Sequence, residues 1–392
     1  MVKKPYGILV GVRPGKLVDQ MLGFGFGPKE IVHRLQLERD VERSKAELLV
    51  QVSLLQRELL APVLNRPDLI SLYVNIPFCP SRCAYCSFTT RTSAQYNEAE
   101  RGRHMTGLLR EIENLSDTMR SLDLKLCTVY VGGGTPTTLS PLQLRELLNT
   151  INSLPRWQDT IEITVEAGRP DTITREKLAE LPSLTRISIN PQTMNDATLQ
   201  RIGRLHTVSE VRESFALAQE MGLSNINADL IIGLPEEGAA GVRQSLAEVL
   251  ALGPSSVTAH MFSPKRTSRF TEGEDWIPMQ PEEAERASHN CRETLLAHGM
   301  RPYYLYRQRG ILAGLENMGW SHPGKECLYN ILFIGETQAI VGVGAGATSI
   351  FPLKDAEWKR HLNPKELKMY LNRLDKSMED KRTLLEKWRG QV

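Results

Sequence analysis

The sequence predicts an α/β protein whose central part is a partial (β/α)6 barrel. Short β-branched runs alternate with longer amphipathic segments, which is typical of parallel strands joined by crossover helices. The predicted strands are SLYVNI (71–76), LCTVYV (126–131), IEITVE (161–166), RISIN (186–190), NINADLII (225–232) and SVTAHMF (256–262). The predicted helices between them are 97–117, 141–152, 174–181, 208–221 and 239–251.

The positions of the unusual residues favour a barrel over an open doubly wound sheet, which the alternation alone would also allow. Three cysteines follow the first strand and a GGGTPT turn follows the second. Glu166 closes the third strand, Gln192 follows the fourth, and His260 lies near the end of the sixth. Functional groups at the carboxyl ends of successive strands are typical of a barrel mouth.

Two flanking regions complete the predicted organisation. Apolar residues at helical spacing between 15 and 62 predict an N-terminal helical extension over residues 1–66. The strand and helix alternation fills a core of residues 67–270 and fades beyond it. Residues 271–392, which end in a charged helical tail, are predicted to form a C-terminal domain that packs across the barrel or along its open side.

Composition and charge exclude several classes of protein. The 392 residues are 41% hydrophobic and 24% charged, as in ordinary globular proteins. Lys and Arg number 48 against 46 Asp and Glu, so the chain lacks the basic field of a nucleic-acid binder. No run approaches the ~18–20 apolar residues of a membrane span, and the run from Ile8 to Val12 is too short for a signal peptide. We therefore expect a cytoplasmic protein with no membrane span and no nucleic-acid partner.

Half of the cysteines crowd into one short segment. Cys79, Cys83 and Cys86 have the spacing C-x3-C-x2-C, and such clustering in a reducing compartment indicates metal binding or catalysis. Structural zinc uses four closed ligands, whereas three thiolates suit an iron–sulfur cluster with one iron left open. A zinc site and unligated thiols are the alternatives. The remaining cysteines are scattered and are expected to be small, partly buried side chains: Cys127, Cys291 and Cys327.

A glycine segment follows the second strand. Gly132, Gly133 and Gly134 precede Thr135, and glycines let the backbone approach a ligand without obstruction by side chains. A glycine turn alone is a weak signal, and this one lacks the G-x-G-x-x-G spacing of a dinucleotide site. Its meaning therefore depends on the cysteine motif one strand earlier.

The cysteine spacing, with Tyr85 as the aromatic residue before the last cysteine, resembles that of the radical S-adenosylmethionine superfamily. The resemblance implies that Cys79, Cys83 and Cys86 bind a [4Fe–4S] cluster, whose remaining iron binds the amino and carboxylate groups of S-adenosylmethionine. It also implies that one electron from the cluster cleaves this cofactor to a 5′-deoxyadenosyl radical, which removes a hydrogen atom from the substrate. In this superfamily the glycine segment contacts the amino group of the cofactor.

Longer motifs narrow the resemblance to one family. They are LYVNIPFCPSRCAYC, VYVGGGTPTTLSPLQLRELL, ITVEAGRP, RISINPQTMNDATLQRIGRLH and INADLIIGLP. In this order and approximate spacing they resemble the oxygen-independent coproporphyrinogen III oxidases, also called coproporphyrinogen dehydrogenases, from roughly residue 5 to 352. The helical N-terminal extension with GILVGVRPGK is most similar to the oxidase-like branch of that family.

This resemblance implies a radical SAM barrel and a set of binding residues. Tyr73, which precedes the cluster cysteines, is implied to be a catalytic and cofactor-binding residue. Glu166, Gln192 and Asp229 would accept hydrogen bonds from ribose hydroxyls or an ammonium group. The planar fork of Arg204 would meet the methionine carboxylate. The implied cofactor-binding residues are Tyr73, Tyr85, Gly132, Gly133, Gly134, Thr135, Glu166, Gln192, Arg204 and Asp229.

The implied reaction is oxidative decarboxylation of coproporphyrinogen III propionates to vinyl groups, which gives protoporphyrinogen IX in haem biosynthesis. The implied partners are a tetrapyrrole substrate, an electron donor such as flavodoxin or ferredoxin, and one S-adenosylmethionine or two. Several side chains are candidates for contacts with the propionates or the tetrapyrrole face, with ordinary packing as the alternative. They are Arg13, Lys16, Tyr304, Tyr306, Arg307 and Lys325.

Two positions depart from the pattern of the decarboxylases. Asn75 stands where they have a histidine two residues after the motif tyrosine. Phe88 stands where they have a further cysteine two residues after the last cluster cysteine. These departures leave the substrate open. The alternatives are a haem chaperone of the same family, a methyltransferase, or a haem-degrading enzyme.

Overall fold

The computed structural model describes residues 4–9, 11, 13–88, 90–159, 161–264, 279–353 and 358–391. Within them the strands are β1 (Leu69–Ile76), β2 (Phe78–Cys79), β3 (Arg91–Thr92), β4 (Lys125–Gly133), β5 (Glu162–Glu166), β6 (Arg186–Gln192), β7 (Ile226–Ile232), β8 (Ser256–Met261), β9 (Arg301–Tyr306), β10 (Asn317–Ser321), β11 (Ile340–Val343), β12 (Thr348–Pro352) and β13 (Trp358–Leu362). β2 and β3 form a small separate ladder, and the others join one sheet of eleven strands.

Helices connect and flank these strands. The α-helices are α1 (Gly15–Gly23), α2 (Pro28–Arg39), α3 (Arg43–Leu60), α4 (Glu98–Ser121), α5 (Pro141–Asn152), α6 (Arg175–Ala179), α7 (Asp196–Arg201), α8 (Val208–Glu220), α9 (Ala239–Ala251), α10 (Pro281–Ala297), α11 (Leu328–Gly335), α12 (Leu367–Asn372) and α13 (Leu374–Gln391). Short 3₁₀ turns lie at Ser93–Gln95, Pro136–Thr138, Pro170–Thr172 and Leu312–Gly314. Among the described residues, no helix is both long and apolar enough to cross a membrane.

The predicted partial (β/α)6 barrel is confirmed. β1, β4, β5, β6, β7 and β8 are neighbours in that order, and each pair is parallel. The crossovers run through α4, α5, α6, the pair α7 and α8, and α9. The predicted strands match the observed ones to within two residues at either end. The prediction ended α4 at residue 117, although this helix continues to Ser121, and it did not include α7.

The six central strands have one polar face. On β1 the alternate residues Ser71, Tyr73 and Asn75 share a face, because successive side chains of a strand point to opposite sides. Thr128 donates a hydrogen bond to Ser71 at 2.8 Å, so β4 presents its own polar residues to the same side. The intervening residues, such as Val74, are fully buried in the apolar core. The polar face is the inner surface of the barrel.

The last third of the chain extends both edges of this sheet. β11 pairs in parallel with β1, and β12 and β13 follow it as antiparallel strands. At the opposite edge β10 pairs antiparallel with β8, and β9 lies outside it. The predicted C-terminal region therefore lies along the open sides of the barrel. The boundary placed at residue 270 lies outside the described residues, and the division into three domains stays a prediction.

The N-terminal helical extension is present as α1, α2 and α3. Val18, Ile31 and Leu35 are completely buried, so the helices share a core and contribute to the main hydrophobic cluster. Gly27 precedes Pro28, which occupies the first turn of α2, where a missing N–H costs no hydrogen bond. The glycine-rich segment GFGFG at 23–27 therefore separates α1 from α2.

Candidate functional site

The three clustered cysteines lie on the loop that follows β1. Cys79, Cys83 and Cys86 are free and partly exposed. The other cysteines are free, and they are buried more completely than the predicted partial burial: Cys127, Cys291 and Cys327. We refer to residues 78–88 as the cysteine loop. Because a loop after β1 lies at the carboxyl edge of the parallel sheet, its thiols lie where functional groups of such folds collect.

Residues beyond β6 support the cysteine loop from one side. Ile202 accepts a hydrogen bond from the Ala84 amide at 2.9 Å, and Gly203 accepts one from the Ser81 hydroxyl at 3.1 Å. Gly203 has a φ of +73°, and a Cβ there would lie 3.2 Å from the Arg82 carbonyl oxygen. Glycine is therefore favoured at this position by conformation as well as by space.

The glycine segment supports the loop from the other side. Gly134 donates its amide to Ile76 at 2.7 Å, and Thr135 donates its amide to Phe78 at 2.7 Å. A Cβ on Gly134 would lie 2.4 Å from the Phe78 carbonyl oxygen and 2.9 Å from the Cys79 sulfur. This backbone lies too close to the cysteine loop to admit any other residue without movement.

The other two glycines leave no space for a side chain beside Glu166 and Asn75. A Cβ on Gly132 would lie 2.8 Å from Glu166 Oε2, and one on Gly133 would lie 2.4 Å from Asn75 Oδ1. Gly133 also has a φ of +107°, which side chains disfavour. The segment thus forms a cradle of bare backbone between the cysteine loop and the carboxylate of Glu166.

The donor set fits an iron–sulfur cluster with three protein ligands. Among the described residues, no group of three or more His, Cys, Asp or Glu side chains converges on a point that could hold a single metal ion. A cluster does not need such a point, because its thiolates bind different iron atoms. Burial raises the pKa of Cys79, and it raises that of Cys86 to about 11, so both are neutral thiols until a metal displaces their protons.

Two predicted cofactor-binding acceptors, Glu166 and Gln192, differ in their hydrogen bonding. Burial and, after it, the nearby charge of Asp229 raise the pKa of Glu166 to about 8, while a hydrogen bond with Tyr130 lowers it. Asn190 donates to Glu166 Oε1 at 3.3 Å. Gln192, at a φ of +71°, has a buried side-chain oxygen with no hydrogen-bond partner. The unpaired oxygen of Gln192 fits a ligand that brings hydroxyl or ammonium groups, as S-adenosylmethionine does.

Asp229 already has protein partners. Asn227 donates to its Oδ1 at 2.7 Å, and His260 Nε2 lies 3.5 Å from its Oδ2. Burial alone would raise the pKa of Asp229, but the hydrogen bond and charge of His260 hold it below its usual value. His260 Nδ1 lies 3.4 Å from the Tyr306 hydroxyl. Asp229, His260 and Tyr306 therefore form one polar chain on the inner face.

Arg204 is buried, and its two terminal nitrogens are engaged by the protein. It donates to the carbonyl oxygens of Asn190 and Gly168. The same guanidinium lies beside the hydroxyl of Tyr85 and the thiol of Cys83. These contacts fix the cysteine loop and the aromatic residue of the motif. The predicted contact with the methionine carboxylate stays a prediction.

Stacked tyrosines cover part of the inner face. The Tyr73 ring stacks with those of Tyr130 and Tyr329, with centroid distances of 6.3 Å in both cases. The Tyr130 and Tyr329 rings lie 4.8 Å apart. A second stacked pair, Tyr304 and Tyr306, lies on the outer strand β9 with a centroid distance of 6.4 Å. The sequence prediction missed Tyr130 and Tyr329, although Tyr130 lies two residues before Gly132 at an inner position of β4.

The two departures from the decarboxylase pattern have different environments. The side-chain amide of Asn75 is hydrogen-bonded at both ends. Its Oδ1 accepts from the Tyr73 hydroxyl at 3.1 Å, and its Nδ2 donates to the Ala345 carbonyl oxygen at 2.6 Å. Phe88 is 67% exposed at the end of the cysteine loop. Asn75 therefore positions Tyr73, whereas Phe88 is open to a ligand or a partner.

Most of the basic candidates for propionate contacts are engaged elsewhere. Arg13 and Lys16 both pair with Glu336. Arg307 donates to the carbonyl oxygens of Leu9 and Gly314, each at 3.0 Å. The backbone of Lys325 accepts from Arg186 at 3.2 Å, in the loop before α11. Among these candidates the tyrosines Tyr304 and Tyr306 are the ones near the polar inner face, through Thr258 and His260.

Known proteins resemble this chain in sequence and fold. Residues 73–249 match the model of the radical SAM superfamily. The oxygen-independent coproporphyrinogen-III oxidase-like protein HemZ of Bacillus subtilis (strain 168) is 41% identical over 392 aligned residues, which cover 98% of this chain and 78% of that protein. The heme chaperone HemW of the same organism is 33% identical over 284 residues, covering 71% of this chain and 70% of the chaperone.

A solved structure has the same fold. The coproporphyrinogen III oxidase HemN of Escherichia coli superposes with a TM-score of 0.64 over 82% of this chain and 73% of that enzyme. The two sequences are 20% identical in this alignment, so the likeness establishes the architecture and no more. The chain therefore has the α/β architecture of a known radical SAM barrel.

Proposed function

Since the chain belongs to the radical SAM superfamily, and within it to the oxygen-independent coproporphyrinogen III oxidase-like proteins, we propose that it oxidatively decarboxylates propionates of coproporphyrinogen III. Each conversion of a propionate to a vinyl group releases CO2, one hydrogen atom and one electron. When bound, the cluster and S-adenosylmethionine supply the radical that takes the hydrogen atom. An external acceptor takes the electron, and the product after two conversions is protoporphyrinogen IX.

The residues of the chain hold the cofactors in this proposal. Cys79, Cys83 and Cys86 bind the [4Fe–4S] cluster, and the bare backbone of the glycine cradle accepts the methionine end of one S-adenosylmethionine. Glu166 and Gln192 accept hydrogen bonds from its amino or ribose groups, which the unpaired oxygen of Gln192 and the position of the Glu166 carboxylate against the glycine cradle support. A flavodoxin or ferredoxin reduces the cluster, and the reaction takes place in the reducing cytoplasm.

The aromatic inner face is the observation that carries the tetrapyrrole assignment. Tyr73, Tyr130 and Tyr329 stack within one layer between β1, β4 and α11, with two of these rings 4.8 Å apart. Aromatic rings prefer stacked or edge contacts with other aromatic rings, and the substrate consists of four pyrroles. These tyrosines would hold the pyrroles beside the cofactor site and exclude water from it. The Asp229 carboxylate beside them can accept a hydrogen bond from a pyrrole N–H.

A product assay tests this proposal. The reconstituted protein is incubated anaerobically with S-adenosylmethionine, a reductant and coproporphyrinogen III, and products are identified by mass spectrometry. We expect vinyl-bearing products and 5′-deoxyadenosine, and neither of them from Cys83→Ala. The matched variant Cys291→Ala, which alters a buried cysteine of α10, should retain both products. Deoxyadenosine without a vinyl product, or a methylated or ring-opened tetrapyrrole, would contradict the proposal.

A haem chaperone is the second candidate function. The exposed Phe88 favours it, because this position lacks the further cysteine of the decarboxylases, and a heme chaperone is among the similar proteins. A chaperone would bind haem stoichiometrically and transfer it to an acceptor protein without turnover of coproporphyrinogen III. Haem titration and transfer assays on the same preparation separate the two functions. Turnover without stoichiometric haem binding would exclude the chaperone.

A further inference from the structure

Arg169 lies beside the cysteine loop. It belongs to the motif ITVEAGRP, but neither the sequence analysis nor the proposed cofactor contacts assign it a role. The residue is 2% exposed. Its Nη1 donates to the Ser81 hydroxyl at 3.0 Å and to the Ser81 carbonyl oxygen at 3.3 Å. The same nitrogen lies 3.9 Å from the sulfur of Cys83. A buried cation therefore contacts the middle of the loop that holds the three thiols.

A carboxylate orients this guanidinium. Asp171 accepts hydrogen bonds from Arg169 Nε at 3.2 Å and from Nη2 at 3.4 Å. This bidentate pair uses one edge of the guanidinium. His206 Nδ1 lies 3.7 Å from the same carboxylate. With two nitrogens fixed, Nη1 is the part of the guanidinium that points to the loop. Burying such a pair costs desolvation free energy, so stability alone is a weak reason for it.

The charge around the three cysteines is uneven. Cys83 lies beside two guanidiniums, those of Arg169 and Arg204, while Asp171 supplies one neutralising carboxylate. Cys79 has the hydroxyl of Thr135 at 3.5 Å and is also influenced by the charge of Arg169, and Cys86 is influenced by that of Arg82. An excess of positive charge therefore faces the sulfur of Cys83. Hydrogen bonds and charges at the ligating sulfurs are among the factors that set the reduction potential of an iron–sulfur cluster.

We propose that Arg169 is a positioning residue that fixes Cys83 for cluster binding and makes the cluster easier to reduce. A cluster held by three thiolates is negatively charged, and reduction adds a further negative charge. A cation at a ligating sulfur stabilises the reduced form more than the oxidised form, which raises the reduction potential. This inference rests on the cofactor assignment of the proposed function and is independent of the substrate.

Redox titration of the full chain tests the inference. Wild type, Arg169→Gln, Arg169→Lys and the matched control Arg175→Gln are reconstituted anaerobically without S-adenosylmethionine or substrate. Arg175 lies six residues after Arg169 and pairs with Glu220 on the exposed surface. Its variant therefore removes a guanidinium that is not part of the cysteine loop's surroundings. The measurements are iron per chain, the rate of iron loss to a chelator, and the midpoint potential followed by electron paramagnetic resonance.

We expect Arg169→Gln to have a more negative midpoint potential and to lose iron faster than wild type. Arg169→Lys retains the positive charge without the planar guanidinium, so its midpoint potential should lie between those of Arg169→Gln and wild type. Arg175→Gln should match wild type. A wild-type midpoint and a wild-type rate of iron loss in Arg169→Gln would overturn the inference. If Arg169→Gln holds no cluster, the same comparison for Arg169→Lys decides it. A wild-type chain that binds no cluster would instead contradict the cofactor assignment.

Discussion

At the scale of single residues, Glu166 links the pH of the solution to cofactor binding. Its pKa is raised to about 8, first by burial and then by the charge of Asp229. Below that pH the carboxyl group is mostly protonated in the free protein. The sulfonium charge of bound S-adenosylmethionine would favour the ionised form, so binding of this cofactor should release a proton from Glu166.

The affinity of the cluster-loaded protein for S-adenosylmethionine should therefore rise with pH up to about 8. Glu166→Gln should reduce the affinity by about tenfold to a hundredfold, because a hydrogen bond to a charged group contributes ~1.5–3 kcal/mol. The variant should also have a flatter pH dependence. Anaerobic calorimetric titrations between pH 6 and 9 measure both effects. The same pH dependence in both proteins would contradict the role of Glu166.

The raised pKa of Glu166 also predicts how the stability of the cofactor-free protein changes with pH. Between the usual value of 4.5 and about 8, the folded protein binds more protons at this site than the unfolded chain. The free energy of unfolding should therefore fall as pH rises through this window. Glu166→Gln should be similar in stability near pH 4.5 and more stable than wild type at pH 9, by up to about 1.4 kcal/mol per pKa unit. Urea denaturation at the two pH values measures the difference.

The backbone at Gly134 leaves no space for a side chain beside the proposed cluster site. A methyl group there would lie 2.4 Å from the Phe78 carbonyl oxygen and 2.9 Å from the Cys79 sulfur. Gly134→Ala should therefore lose most of the bound iron, with little change in far-ultraviolet circular dichroism. Gly102→Ala is the matched control, because a Cβ there meets no atom within 4 Å. Equal iron contents in the two variants would show that the close approach is not required.

Short sequence motifs predict much of the candidate site. Cys79, Cys83 and Cys86 share one loop and the glycine cradle lies against it, because short motifs bring their own residues together. Arg169 was not singled out, because it contacts Ser81 from 88 positions away along the chain. Its position in a quoted motif was visible, but its partner was set by the packing of the loop after β5 against the cysteine loop.

At the scale of elements, the C-terminal helix α13 holds the strand that lies beside β1. Lys381 donates to the buried carboxylate of Glu111 on α4 and to the Gly342 carbonyl oxygen of β11. Glu111 also accepts from the Gly344 amide at 2.7 Å. A Cβ on Gly344 would lie 2.4 Å from the Asn75 carbonyl oxygen, so this segment lies directly against the end of β1. Helix α13 therefore supports the strand that leads into the cysteine loop.

Lys381→Met should destabilise the fold by about 3–5 kcal/mol, because it leaves the Glu111 carboxylate buried without its cation. The double variant with Glu111→Gln removes both charges and should recover part of that loss. Arg382→Met is the matched control, since Arg382 forms an exposed pair with Glu386 within α13. Denaturant unfolding of the variants measures these differences. A single variant as stable as wild type would contradict the role assigned to this pair.

The central elements could be predicted because their signals are local. A β-branched run and the amphipathic helix after it have recognisable periods, and β6 and α9 lie within two residues of where these periods place them. Helix α7, at Asp196–Arg201, is too short to show a clear period. β11 pairs with β1, although most of the barrel lies between them along the chain. Nothing in the residues of β11 indicates that partner.

At the scale of the whole molecule, the C-terminal third is continuous with the barrel sheet. β11 to β13 extend the edge at β1, and β9 and β10 extend the edge at β8. The cofactor site lies near the first edge, and the Asp229, His260 and Tyr306 chain lies toward the second. The proposed substrate would therefore lie across the mouth, between the cysteine loop and the polar chain.

The most direct test of this account follows one hydrogen atom through the reaction. Coproporphyrinogen III with deuterium at the β-carbons of its propionates is incubated anaerobically with the reconstituted protein, S-adenosylmethionine and a reductant. We expect 5′-deoxyadenosine that carries deuterium, formed together with vinyl-bearing product. Deoxyadenosine without deuterium, while the substrate keeps all its propionates, would contradict the claim that this chain is a coproporphyrinogen decarboxylase.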